Sequence, residues 1–200
     1  MIGIADKVLA VDRALADAKI PHAFGGALAL AYCIGEPRAT IDIDLNVFIE
    51  PADVARVFAA LPEAVATNAD AIRAVERDGQ TRVWWDHTPI DLFFSYHRFH
   101  EHLGGRVRRV PFGDEQIPVL ACADLAVFKA VFNRTRDWVD LEAMVDVDSF
   151  DAGEAVEWLR TILGDGAAQV DRLAALEPSR DADEWPDRLP EALRPHRESS

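Results

Sequence analysis

The chain has 200 residues, half of them apolar and 28% charged, with 21 Lys and Arg against 35 Asp and Glu for a net charge of −14. That length can bury a sizeable core, as one domain or a domain with an appended subdomain, and the acidity works against non-specific attraction of a large phosphate-rich partner. No apolar run reaches membrane-span length, and MIGIADKVLAVDRALADAKI lacks the basic start and long apolar stretch of a signal peptide, so a cytoplasmic protein without a membrane partner is expected. Only Cys33 and Cys122 are present, both in apolar surroundings, and in a reducing compartment no disulfide is expected between them.

The charge is uneven. Residues 1–105 carry a net −6 and residues 137–200 a net −11, whereas residues 106–136 carry +3 from Arg106, Arg108, Arg109, Lys129, Arg134 and Arg136 against Asp114, Glu115 and Asp124. A local basic island in an acidic chain suits a triphosphate or a short stretch of RNA better than a long duplex.

In chain order, Ile4, Val8, Val11 and Leu15 form one stripe of a first helix over 4–18. Residues 19–24 are an extended entry, with His22 read as a loop histidine without a chemical role. Gly25-Gly26 is a turn, and Ala27 to Ile34 is a helix stopped near Gly35 and Pro37. In Ile41-Asp42-Ile43-Asp44-Leu45, apolar and acidic residues alternate at the period of a half-buried strand running to Ile49. Asp42 and Asp44 therefore leave one face, roughly 6–7 Å apart along the backbone. Carboxylates that close repel unless a proton or cation sits between them, and hard oxygen donors suit Mg²⁺.

Pro51 opens a helix to about Ala60, and a further helix falls within 63–75. Thr81–Asp86 and Ile90–Tyr96 are strands joined by His87-Thr88-Pro89, the second carrying Asp91. His97, His100 and His102 invite a zinc reading, but their spacing does not bring three imidazoles together on one helix, and a solvated helix face is expected. Residues 107–110 and 116–119 are a closing pair of short strands around Gly113-Asp114. From Cys122 the pattern is helical, with a break around 133–136 and further helices over 151–163 and 166–176. From Glu177 the apolar periodicity fades into a flexible tail. The class is α/β: a small mixed sheet with flanking helices over 1–120, a helical C-terminal subdomain over 121–176, and a tail over 177–200.

The ordered set Gly25-Gly26, then Arg38-x-Thr40-x-Asp42-x-Asp44, resembles the signature of the DNA polymerase β-like nucleotidyltransferases. The form GG…PRAT-DIDL is most similar to the small bacterial AbiEii-type enzymes, many of them toxins of toxin–antitoxin pairs. Fifteen residues separate Gly26 from Asp42, slightly more than the usual spacing. The resemblance implies the nucleotidyltransferase fold and a two-Mg²⁺ site on Asp42, Asp44 and Asp91, with Asp86 the fallback should the register shift. It also implies a nucleotide over Gly25 and Gly26. Lys129 would serve catalysis and the polyphosphate, with Arg38, Thr40, Arg134 and Arg136 as further nucleotide contacts. The segment from Asp124 through Lys129 and Arg134 to Asp137 and Asp140 resembles the helical region that follows the catalytic sheet in these proteins. Read without the resemblance, it is a helix with solvated charges and Arg–Asp pairs, in which a buried Lys129 needs a partner.

The implied reaction moves an NMP from an NTP to an acceptor hydroxyl and releases pyrophosphate. The acceptor is tRNA or a protein in a toxin-like enzyme that has a cognate antitoxin. Alternatively it is a small molecule, as in antibiotic-modifying relatives. A non-catalytic nucleotide- or partner-binding module is a third expectation, favoured if Asp91 points away from Asp42 and Asp44.

Overall fold

The computed structural model describes residues 2–95 and 97–178. Tyr96 and all but the first two residues of the expected tail lie outside that range. The chain divides into two units, the first comprising the residues up to Leu28 together with Ala39–Leu120, the second Ala29–Arg38 and the chain from Ala121 onward.

The first unit is built on a seven-stranded mixed sheet. Its elements are α1 (Ile4–Asp17), β1 (His22–Phe24), the start of α2 (Gly26–Ile34), β2 (Ile43–Val47), α3 (Val54–Ala60), β3 (Val65–Ala66), α4 (Ala69–Asp78), β4 (Gln80–Trp85), β5 (Thr88–Phe94), α5 (Arg98–Leu103), β6 (Arg108–Phe112) and β7 (Glu115–Val119). The strand order is β3-β4-β5-β2-β1-β7-β6. The β2–β5 and β1–β7 pairs are parallel and the remaining pairs antiparallel.

The strands hold their places by period-two burial. Ile43, Leu45 and Val47 on β2 and Ile90, Leu92 and Phe94 on β5 are all fully buried, each contributing on the order of 1.5–3 kcal/mol of apolar burial. On α1 the stripe Val8, Val11 and Leu15 is fully buried, as its spacing predicts. Lys7 on the same helix is 3% exposed and remains a buried cation because its Nζ donates to the Trp85 carbonyl at 2.8 Å and Thr88 Oγ1 at 3.0 Å, with Asp86 at 3.4 Å. The further helix expected within 63–75 is α4, which starts inside that range and runs three residues beyond it: the Asn68 side chain accepts from the Ala71 amide, and Gly79, at φ 68°, closes the last turn onto Val75.

Three expectations change. His22 is not in a loop. It begins β1, is buried, and bonds through Nε2 to Asp12 Oδ1 at 3.0 Å and through Nδ1 to the Ile20 carbonyl at 2.9 Å. The aspartate strand starts at Ile43, not Ile41. Ile41 is 81% exposed, and the Thr40 hydroxyl binds the Asp42 side chain and main chain, a local bond that competes with the ladder.

The third change is in the second unit. Cys33 on α2 and Cys122 at the start of α6 (Cys122–Phe132) form a disulfide, their Cα atoms 5.6 Å apart across a sequence separation of 89. Both are nearly fully buried, and this tertiary proximity is invisible to composition. The unit continues through α7 (Thr135–Asp146), α8 (Ala152–Leu163) and α9 (Ala168–Ala174). Asn133, at φ 56°, ends α6, and its side chain accepts from the Trp138 indole at 2.7 Å, while the Arg172 guanidinium lies 4.0 Å from the centre of the Trp138 ring.

Candidate active site

The carboxylates lie where β2 and β5 run side by side. Asp44 and Asp91 are Cα partners in that parallel pair, so their side chains leave the same face of strands roughly 4.8 Å apart. Both are half-buried, as is Asp42 in the bend two residues before Asp44. Asp86, the fallback, instead pairs with Lys7.

The glycine turn closes on Asp44. The Gly25 amide donates to the Asp44 carbonyl at 2.9 Å, and a Cβ on Gly25 would come within 2.9 Å of Asn46 Nδ2. Gly26 stands at φ +49°, and a Cβ there would overlap the Asp44 carboxylate and come within 3.0 Å of its Cβ. Only glycine meets both demands, a left-handed backbone and a carboxylate lying directly against it.

Arg82 completes the group. It is the cross-strand partner of Asp91 on β4, and its Nε and Nη2 donate to the two Asp91 oxygens at 2.6 Å each. Those hydrogen bonds, then the charges of Asp91, Asp42 and Asp44, hold the guanidinium even more firmly protonated than usual. Arg82 thus stands as a cation within the field of all three carboxylates. Among the described residues, no three His, Cys, Asp or Glu side chains form a ready metal cage. Asp91 is engaged by Arg82, and Asp42 accepts from the Thr40 hydroxyl. As a donor set these hard oxygens fit a divalent cation such as Mg²⁺.

Lys129, Arg38 and Arg134 fall in the second unit and cluster with Asp137 and Asp140. Lys129 is 7% exposed, with Nζ 2.7 Å from Asp140 Oδ2 and 3.8 Å from Asp137 Oδ1. Arg38 pairs with the other oxygen of Asp140 at 3.5 Å, and Arg134 binds Asp137 through its side chain and its amide, capping α7. Lys129 thus has the partners its burial demands. Arg136 is exposed. Sequence reasoning did not find Arg82; its only signal was a basic residue placed to face Asp91 across a hairpin whose register the sequence leaves open.

The histidine segment is not the solvated helix face expected, because Phe99, His100 and Leu103 on α5 are buried. His97 caps α5 by accepting from the Phe99 amide at 3.2 Å, and His100 is buried. Burial, and then His97, lower the His100 pKa from its usual 6.5 to about 4.

The mixed sheet and its helices are those of a nucleotidyltransferase. A family model described as "Nucleotidyl transferase AbiEii toxin, Type IV TA system" matches residues 8–197, and the chain belongs to that family. It is accordingly an enzyme of nucleotidyl transfer. No curated protein matches the sequence. Among solved structures, the fold is similar to that of the antibiotic-resistance factor ANT(2'')-Ia in solution, with TM-score 0.57, 13% identity, 86% of this chain and 94% of the other covered. It is also similar to a crystal structure of ANT(2'')-Ia with adenylyl-2''-tobramycin, with TM-score 0.56, 12% identity, 80% and 95% covered. No helix among the described residues is long and apolar enough to cross a membrane.

Proposed function

We propose that this enzyme transfers an NMP from an NTP to an acceptor hydroxyl, using Asp42, Asp44 and Asp91 with two Mg²⁺ ions. The observation that carries this reading is the register of Asp44 opposite Asp91, with Gly26 pressed against the Asp44 carboxylate. Bound Mg²⁺ supplies Lewis-acid stabilisation of the attacking and leaving oxygens in an in-line displacement. Asp42 and Asp44 would hold the ions and Asp91 would complete the set beside the acceptor hydroxyl, whose proton would pass to water. The acceptor oxygen forms its bond to the α-phosphorus as the bond to pyrophosphate breaks. In this proposal the phosphates lie against the backbone of Gly25 and Gly26 at the start of α2. Lys129, Arg38, Arg134 and Arg136 remain cations for the polyphosphate in this proposal, and Thr40 positions Asp42 through its hydroxyl. Asp91 shares its face with Asp44, which counts against the non-catalytic module.

For the acceptor, the family's description as a toxin favours tRNA or a protein in a cytoplasmic toxin–antitoxin pair, with a cognate antitoxin as partner. The second reading, a small cationic acceptor, draws on the net charge of −14 and on the relative that holds an adenylylated aminoglycoside. The test incubates protein, Mg²⁺ and each α-³²P-labelled NTP with total tRNA, total protein or aminoglycosides, with the Asp42→Ala/Asp44→Ala variant as blank. Label on tRNA or protein supports the first acceptor class and label on an aminoglycoside the second. Label that the blank also transfers refutes the site.

A further inference from the structure

Arg82 and Asp91 meet on adjoining antiparallel strands through two hydrogen bonds of 2.6 Å. The Arg82 side chain is 50% exposed and that of Asp91 19%. A fork-on-carboxylate pair fixes the plane of Asp91 and occupies the oxygen edge that faces Arg82. The guanidinium end is half exposed, so it can turn to water when it leaves Asp91, while the carboxylate stays largely covered. The guanidinium also feels Asp42 and Asp44, so it neutralises part of the charge that any other cation must find there.

We infer that Arg82 is a built-in counter-cation of this site: it holds Asp91 while no metal is bound and must yield the carboxylate for a divalent ion to enter. The inference rests on the metal-site reading proposed above. Two cations cannot share one carboxylate group at short range without repulsion, and that repulsion is weakly screened at a half-buried site. Arg82 therefore sets a threshold on metal affinity. Metal arriving with the polyanionic nucleotide brings its own negative charge and meets less resistance than metal alone. The freed, exposed guanidinium then faces the same anionic substrate.

The test measures Mn²⁺ binding to the full chain without nucleotide, by calorimetry or by the electron-spin signal of free Mn²⁺, so it does not depend on turnover. Arg82→Gln, which removes the charge, is expected to bind Mn²⁺ about tenfold more tightly than wild type, while Arg82→Lys stays close to it. Unchanged or weaker binding in Arg82→Gln overturns the inference; weaker binding would make Arg82 a residue that aligns Asp91 for the metal. The Asp42→Asn/Asp44→Asn variant tests the underlying reading separately. If it binds Mn²⁺ as wild type does, or if neither wild type nor Arg82→Gln binds it, the metal site itself fails and the inference with it. A thermal melt of each variant confirms that it is folded.

Discussion

Asp44 and Asp91 occupy one register position on neighbouring parallel strands, so two carboxylates are held side by side on the same face of the sheet. Like charges at that spacing raise the free energy of the folded chain unless a cation compensates them. Asp44→Asn should therefore leave the thermal midpoint unchanged or slightly higher in the absence of metal, while nucleotidyl transfer falls by roughly 10²-fold or more. A melt and a labelled-NMP assay on one preparation check both halves. Retained transfer would remove Asp44 from the site.

Gly26→Ala places a methyl group against the Asp44 carboxylate at a left-handed backbone position. The carboxylate must turn aside, so activity should fall by at least about tenfold while stability drops by on the order of 1–3 kcal/mol from backbone strain. Gly25→Ala meets Asn46 and Leu120 instead of the aspartate. It should cost stability with a smaller loss of activity, measured by urea denaturation beside the transfer assay.

Lys129 lies buried between Asp137 and Asp140. Lys129→Ala leaves buried Asp140 without its nearest cation, with only Arg38 at 3.5 Å remaining, and should destabilise the protein by about 3–5 kcal/mol. Unfolding unchanged by this substitution would mean that Lys129 does not hold the helices, and any loss of activity would then belong to the nucleotide.

The pKa of His100 is lowered from 6.5 to about 4 by burial and His97. Between those two values the unfolded chain takes up a proton that the folded chain does not, so stability is full above the upper value and falls as pH drops toward the lower. The loss should be on the order of 2–3 kcal/mol between pH 7.5 and pH 4, superimposed on other groups. His100→Gln should flatten that dependence in urea melts at a series of pH values; an unchanged slope would assign it elsewhere.

The Cys33–Cys122 bond closes a loop with a sequence separation of 89. By the chain-entropy relation, it stabilises the oxidised protein by about 4–5 kcal/mol. Oxidised wild type should therefore exceed Cys33→Ser by that amount in urea, and the difference should shrink sharply with reductant, with the intact mass reporting the bond. Equal stability with and without reductant would count against the disulfide.

The sequence by itself determined the local elements. The alternation in Ile43-Asp44-Leu45 and Ile90-Asp91-Leu92, the stripe on α1 and the glycine turn are periodicities and backbone constraints written in neighbouring residues. With them came the ordered Gly25-Gly26…Asp42-x-Asp44 pattern that carried the family. Only the tertiary structure decided which strand lies beside which. That set Asp91 opposite Asp44 and Arg82 opposite Asp91, because register depends on the packing of Ile43, Leu45, Ile90 and Leu92 against the rest of the sheet. The disulfide and the partners of Lys129 and His22 were hidden for the same reason. They join residues far apart in sequence or on different elements, and pairing across such distances is fixed by the packed core rather than by any local pattern of residues.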